Sequence, residues 1–187
     1  MSRVITIQID RELTMQSTKA EETKIPVYYN LILNSTSRRH GRSTAMALTT
    51  LSEKRGDLFT STDSLCHCVS KDFKMGKGIA VEFKRRFGCV NELMRQQVPV
   101  GKVAYLRDGD RYIFYLVTKR RYSMKPTVDD LLSCLQDLRL KCEELKITRL
   151  SMPRIGCGLD RLAWPLVKSL IQQSLGTDIT VTVYSLN

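Results

Sequence analysis

The ten residues SMPRIGCGLD, Ser151 to Asp160, constrain this chain most. An apolar, strand-like run, LKITRLSMP, feeds directly into a loop with glycines at 156 and 158. A helix-like run, RLAWPLVKSLIQQSL, follows. Strand, glycine loop and helix is how α/β proteins build an anion pocket, because glycines let backbone N–H groups approach a phosphate. A carboxylate beside such a pocket is unfavourable unless it does chemistry or caps the next helix. Asp160 is therefore a candidate catalytic residue, with helix capping as the alternative.

The rest of the chain repeats this alternation. TTLSEKR and DSLCHCVS read as short strands around GDLFTST. The loop KDFKMGKG leads into a helix, IAVEFKRRF, and a second short helix falls near NELMRQQ. GKVAYLRDGDRYIFYLVTK reads as a hairpin turning at Asp108-Gly109. KPTVDDLLSCLQDLRLKCEEL reads as a helix, with Thr127 and Asp130 as its capping box. Val128, Leu131, Leu135, Leu138, Cys142 and Leu145 recur at helical spacing. DITVTVYSL is the last strand. Strands alternating with helices predict three layers around a mixed or largely parallel sheet.

Residues 1–46 differ from the rest: strand-like VITIQI and VYYNLIL lie among polar stretches without helical period. They read as an N-terminal extension, partly disordered or weakly structured, ahead of one domain at 47–187. No run approaches 18 apolar residues, and the first residues carry early charges and no signal-peptide core. A net charge of +11 favours anionic partners but does not separate nucleic acid from nucleotides. Six cysteines without a CxxC pair, and only two histidines, argue against zinc and for free thiols in a reducing compartment. Cys157 lies in the glycine loop, but no histidine neighbours it in sequence to activate it as a nucleophile.

GDLF, MGKGIAVEFKRRFG, RYIFYLVTKRR and SMPRIGCGLDR, in that order, resemble the macrodomain family, in its terminal ADP-ribose protein glycohydrolase and O-acetyl-ADP-ribose deacetylase branch. The resemblance covers roughly residues 48–186 and implies a three-layer α/β/α fold with a mixed central sheet. It further implies a role for each matching residue. Asp57 would accept from the adenine amino group, and Leu58 would contact the adenosine. Ser70 would touch the ligand, and Gly76 and Gly78 would line the distal ribose and diphosphate. Arg154, Ile155, Gly156, Cys157, Gly158 and Leu159 would form the phosphate loop, and Leu186 would pack near the adenine. Lys119 and Asp160 would be the catalytic pair.

The implied activity is hydrolysis of ADP-ribose from acidic protein side chains, with deacylation of O-acetyl-ADP-ribose alongside it. Neither cofactor nor metal is required. The implied partners are ADP-ribose, ADP-ribosylated proteins and poly(ADP-ribose), with no membrane. A monomer of the nucleus or cytosol, acting in the DNA damage response, is expected. Three other classes compete. A non-catalytic ADP-ribose reader needs neither Lys119 nor Asp160. A nucleic-acid module calls for aromatic–basic interleaving on one sheet face. A dinucleotide-dependent dehydrogenase calls for GxGxxG after a first strand, which is missing.

Overall fold

The computed structural model describes residues 48–186; the expected extension at 1–46 lies outside the described residues. Six strands form one sheet: β1 (Thr50–Arg55), β2 (Ser64–Ser70), β3 (Lys102–Asp108), β4 (Arg111–Lys119), β5 (Arg149–Pro153) and β6 (Thr180–Ser185). Their order is β1-β6-β5-β2-β4-β3. All neighbours run parallel except β3, which pairs antiparallel with β4, so the sheet is mixed. The helices are α1 (Ile79–Phe87), α2 (Val90–Arg95), α3 (Val128–Glu144) and α4 (Trp164–Ser174).

The period-2 alternation of the strands sorts side chains onto two faces. Phe114 and Leu116 of β4, Leu150 and Met152 of β5, and Val181 and Val183 of β6 pack under α3 and α4. Ile113, Tyr115 and Val117 of β4 face the other way, toward Phe83 of α1 and Leu93 of α2. These are the three layers. The α3 capping box forms as the sequence predicts: the Asp130 N–H donates to Thr127 Oγ1 and the Thr127 N–H to Asp130 Oδ2.

Two elements differ from the sequence expectation. The strand expected from Leu145 begins only at Arg149, because α3 runs on to Glu144 and closes with a turn. There the Ile147 N–H reaches back to the Cys142 carbonyl over a left-handed Lys146. The helix expected from Arg161 begins at Trp164, with Pro165 in its first turn and Ala163 as its N-cap. Asp160 is therefore not the cap of that helix.

The edge strand β3 is closed to further pairing by side chains. The Val103 N–H donates to Asp137, and Gln96 both accepts from and donates to the Tyr105 backbone. In the parallel part of the sheet, β1, β6, β5, β2 and β4 all end at one side. Ligands bind open α/β sheets beyond these carboxyl ends.

Candidate active site

A cavity of about 550 Å³ opens beyond the ends of β2, β4 and β5, within the usual range for small-molecule sites. Lys119, the last residue of β4, reaches it beside a bulge. Val69 pairs with Val117 but Ser70 pairs with Lys119, so Thr118 is an extra residue. Bulges near strand ends re-aim the side chains that follow them. The ammonium of Lys119 donates to Asp160 Oδ1 at 2.6 Å. The two side chains are 14% and 13% exposed, so the pair sits in the cavity wall rather than on the surface. Arg120 and Arg121, the sequence neighbours of Lys119, are exposed.

Asp160 is presented by a compact double turn. The Leu162 N–H bonds the Gly156 carbonyl, the Arg161 N–H bonds the Gly158 carbonyl, and Arg161 adopts φ 60°. Glycine at 156 suits this turn because a side chain there would be strained. Its φ is +70°, and a Cβ there would lie 2.9 Å from Leu162 Cδ1. Gly158 differs: a Cβ there meets nothing within 4 Å, so the space it leaves is open to a ligand. The helix whose first residues line the cavity is α1, through Gly78, Ile79 and Ala80, and not α4, which follows the 156–158 loop.

The loop between β2 and α1 is fixed by a residue that the sequence reading passed over. Asp72 accepts from the Ser70 hydroxyl, the Lys74 N–H and, across 50 residues, the Tyr122 N–H. Burial raises the pKa of Asp72, but these hydrogen bonds together outweigh it and hold the carboxyl below its ordinary value. Asp72 thereby ties the loop carrying Gly76 and Gly78 to the segment just after Lys119. The Lys74 ammonium, 3.8 Å from the Tyr122 ring centroid, adds a second tie at the cavity mouth. A Ser-x-Asp triplet closing a strand is the one local signal that points to such a turn.

His67 and Cys68 also line the cavity. His67 stacks on Phe83 at 3.8 Å between ring centroids, and neither of its ring nitrogens has a hydrogen-bond partner. Burial pushes its pKa down to about 3, so the ring is neutral at physiological pH. The Cys68 thiol is pushed up to about 12, mainly by burial and further by the Asp160 carboxylate, and stays protonated. Cys157 donates to the Ile155 carbonyl and is not among the lining residues, and burial raises its pKa. Its reading as a nucleophile gains no support from these contacts.

The structure thus brings together Ser70, Gly76, Gly78, Lys119, Arg154, Ile155, Gly156, Gly158, Leu159 and Asp160 around one cavity. Asp57, Leu58, Cys157 and Leu186 stand outside it. Asp57 is exposed and accepts from the Phe59 N–H, capping a single 3₁₀ turn, while Leu58 is buried in the core below. Leu186 is 77% exposed. Asp57 and Leu186 nonetheless lie together, because the Gly56 N–H bonds the Ser185 carbonyl as β1 and β6 end side by side. Four strand spacings, about 19 Å, separate β1 from β4. A ligand running along the strand ends from Asp57 to Lys119 would pass the 154–160 loop midway.

Fold and cavity define an α/β/α module with a glycine-lined cleft across its strand ends. The Macro domain family model matches residues 66–171, and the chain belongs to that family. Human "ADP-ribose glycohydrolase OARD1" is 52% identical over 135 residues, covering 71% of this chain and 89% of that protein. A "DNA ADP-ribosyl glycohydrolase" of Thermus aquaticus is 32% identical over 131 residues, which is 65% of this chain but only 36% of that protein. Among solved structures, the macrodomain of Thermus aquaticus DarG superposes with a TM-score of 0.66 at 30% identity, covering 73% of this chain and 99% of that one. Thermosipho africanus DarTG in complex with ADP-ribose superposes with a TM-score of 0.65 at 25% identity, covering 74% of this chain and 42% of that one.

Proposed function

We propose that this protein is an ADP-ribose glycohydrolase that releases ADP-ribose from acidic side chains of proteins through Lys119 and Asp160. The single observation that carries the reading is the 2.6 Å contact between these two groups in the cavity wall. The similarity to proteins named ADP-ribose glycohydrolases supports it. Ordinary binding of ADP-ribose needs no lysine paired with a carboxylate, and this disfavours a reader that only binds.

The chemistry follows from the contact. A lysine must lose its proton before it can attack carbon. Asp160, already accepting from that ammonium, is placed to take the proton directly. The free amine then attacks C1″ of the distal ribose, the bond from C1″ to the protein carboxylate breaks, and the carboxylate leaves with the electron pair. As the C1″–O4″ bond next opens, a proton passes from the lysine nitrogen to O4″ and a protonated imine joins Lys119 to C1″. Asp160 returns a proton as the lysine adduct is hydrolysed by water and ADP-ribose departs. The glycine loops hold the diphosphate, so that binding energy remote from C1″ becomes positioning at C1″. Deacylation of O-acetyl-ADP-ribose can use the same machinery when the acetyl ester sits on the 1″ oxygen, where attack at C1″ expels acetate in place of the protein carboxylate.

The finer assignments belong to the same proposal. The protein acts as a monomer on mono- or terminal ADP-ribose, including the ends of poly(ADP-ribose), in the nucleus or cytosol and within the DNA damage response. All six cysteines are free, which suits a reducing compartment. Among the described residues no helix is long and apolar enough to cross a membrane. The test is incubation with a glutamate-ADP-ribosylated protein while following free ADP-ribose. Release supports the reading. Tight binding of ADP-ribose without release replaces it with the reader, and absence of binding overturns both.

A further inference from the structure

Outside the Lys119–Asp160 pair, one side chain gathers more of the site than any motif foretells. Glu53 lies on the edge strand β1 and bonds three groups from two other segments. Its Oε2 accepts from Arg154 Nη2 at 2.9 Å and from the Trp164 indole N–H at 3.2 Å. Its Oε1 accepts from Lys168 Nζ at 2.8 Å. The Arg154 guanidinium also lies over the Trp164 ring, 5.4 Å from its centroid. Arg154 lines the cavity at the start of the glycine loop. Arginine side chains carry large rotamer entropy, and a fixed guanidinium loses less on meeting an anion.

From this convergence we infer that Glu53 is a positioning residue. It clamps the Arg154 guanidinium against the Trp164 indole, so that the cavity presents a preset cation to the diphosphate. The inference rests on the proposed function, because ADP-ribose supplies that diphosphate. The hydrogen bond from Lys168 lowers the Glu53 pKa most, slight burial opposes it, and Arg154 adds to the lowering. The carboxylate is thus charged throughout the neutral range. Lys168 serves as an internal control: it shares Glu53 but is not among the cavity-lining residues.

The experiment measures ADP-ribose affinity by calorimetry, and kcat and KM on a glutamate-ADP-ribosylated peptide. The full chain is used as wild type, Glu53→Ala, Arg154→Ala, the Glu53→Ala/Arg154→Ala double variant and Lys168→Ala. Glu53→Ala should weaken binding about fivefold, the range for a half-exposed charged hydrogen bond. It should raise KM alike while kcat changes by less than about twofold, since Glu53 does not approach the reacting atoms. It should add nothing in the Arg154→Ala background, whereas independent sites would add in full. Lys168→Ala should bind like wild type. Trp164 is the chain's only tryptophan, so its fluorescence gives a second readout independent of turnover. ADP-ribose should shift its emission in wild type and much less in Arg154→Ala.

Wild-type affinity in Glu53→Ala, full additivity with Arg154→Ala, or an equal loss in Lys168→Ala overturns the inference, the last by pointing to helix docking instead. Should Glu53→Ala not fold, Glu53→Gln replaces it in the same cycle, with the same outcomes deciding. A wild-type protein that binds no ADP-ribose overturns the functional reading itself and takes this inference with it. Normal wild-type binding with an unaffected Glu53→Ala overturns the inference alone.

Discussion

The two ends of the strand-end cleft are built differently. At the β4 end, Lys119 and Asp160 are enclosed, hydrogen-bonded to each other, and braced by the Asp72 ties and the double turn at 156–162. At the β1 end, Asp57 and Leu186 stand in solvent beyond the cavity. The difference teaches where geometry is held before a ligand arrives. Chemistry needs atoms placed to within about half an ångström, so the enclosed end is preorganised by partners from several segments. The proposed adenine anchor at Asp57 would need only a well-placed acceptor, which an exposed carboxylate on a capped turn can supply. The enclosed end should therefore control turnover and the open end affinity.

The largest effect that tests this division falls on Lys119. Lys119→Ala should lose nearly all hydrolysis, by about 10³-fold or more for a lost nucleophile, while still binding ADP-ribose. Lys119→Arg should fare no better, because a guanidinium stays protonated. Borohydride added during turnover should trap ADP-ribose covalently on Lys119, read by mass spectrometry. Asp160→Ala should lose on the order of 10²-fold. Full hydrolysis by Lys119→Ala would remove the lysine adduct from the path and leave a direct attack by water.

A second contrast lies within the glycine loop. Gly156→Ala should destabilise the fold by about 1–3 kcal/mol, through its positive φ and the close approach of Leu162. Gly158→Val should leave the melting temperature nearly unchanged, since nothing lies within 4 Å, yet abolish ADP-ribose binding by filling the ligand's space. Thermal melts with and without ADP-ribose separate the two. If Gly158→Val binds normally, the loop does not touch the ligand there.

Much of the architecture was legible in the chain because its signals are local. The Thr127–Asp130 capping box and the 3.6-residue period of α3 each act within a few residues. So does the hairpin turn, although it falls at Gly109-Asp110, one residue beyond the expected Asp108-Gly109, because Asp108 still pairs with Arg111. The gathering of Ser70, Gly76, Gly78 and the 154–160 loop follows from a parallel sheet placing its loops at one side. What was not legible depends on partners far apart in sequence. Nothing near Asp72 announces Tyr122, and nothing near Glu53 announces Arg154 or Trp164, about 100 residues on. The Thr118 bulge is set by the pairing of two strands and leaves no mark in either one. His67 reads as an ordinary strand residue until Phe83 and the neighbouring strand bury it.

That burial sets a pH dependence for the enclosed end. The folded protein holds the His67 pKa near 3, against 6.5 for the free side chain. Below about pH 6.5 the unfolded chain takes up a proton that the folded chain refuses, so stability falls as pH falls. The loss begins near 6.5 and continues toward 3, amounting to about 2 kcal/mol by pH 5 at 1.36 kcal/mol per pH unit. Urea unfolding at pH 7 and pH 5 measures it, and His67→Leu should flatten the slope over that window. An unchanged slope in His67→Leu would place the acid sensitivity elsewhere.

The smallest effect is expected at the open end, and it decides what Asp57 does. Its Oδ1 accepts from the Phe59 N–H, so part of any loss in Asp57→Ala is a lost cap. Asp57→Asn separates the roles. The amide oxygen can still accept from Phe59, but the amide NH₂ that replaces the other oxygen cannot accept from an adenine amino group. Asp57→Asn should therefore keep the wild-type melting temperature and weaken ADP-ribose binding about fivefold to tenfold, with kcat unchanged. Wild-type affinity would leave Asp57 as a cap and nothing more. A fall in kcat with unchanged affinity would break the division itself, because the open end would then act on the transition state and not on binding alone.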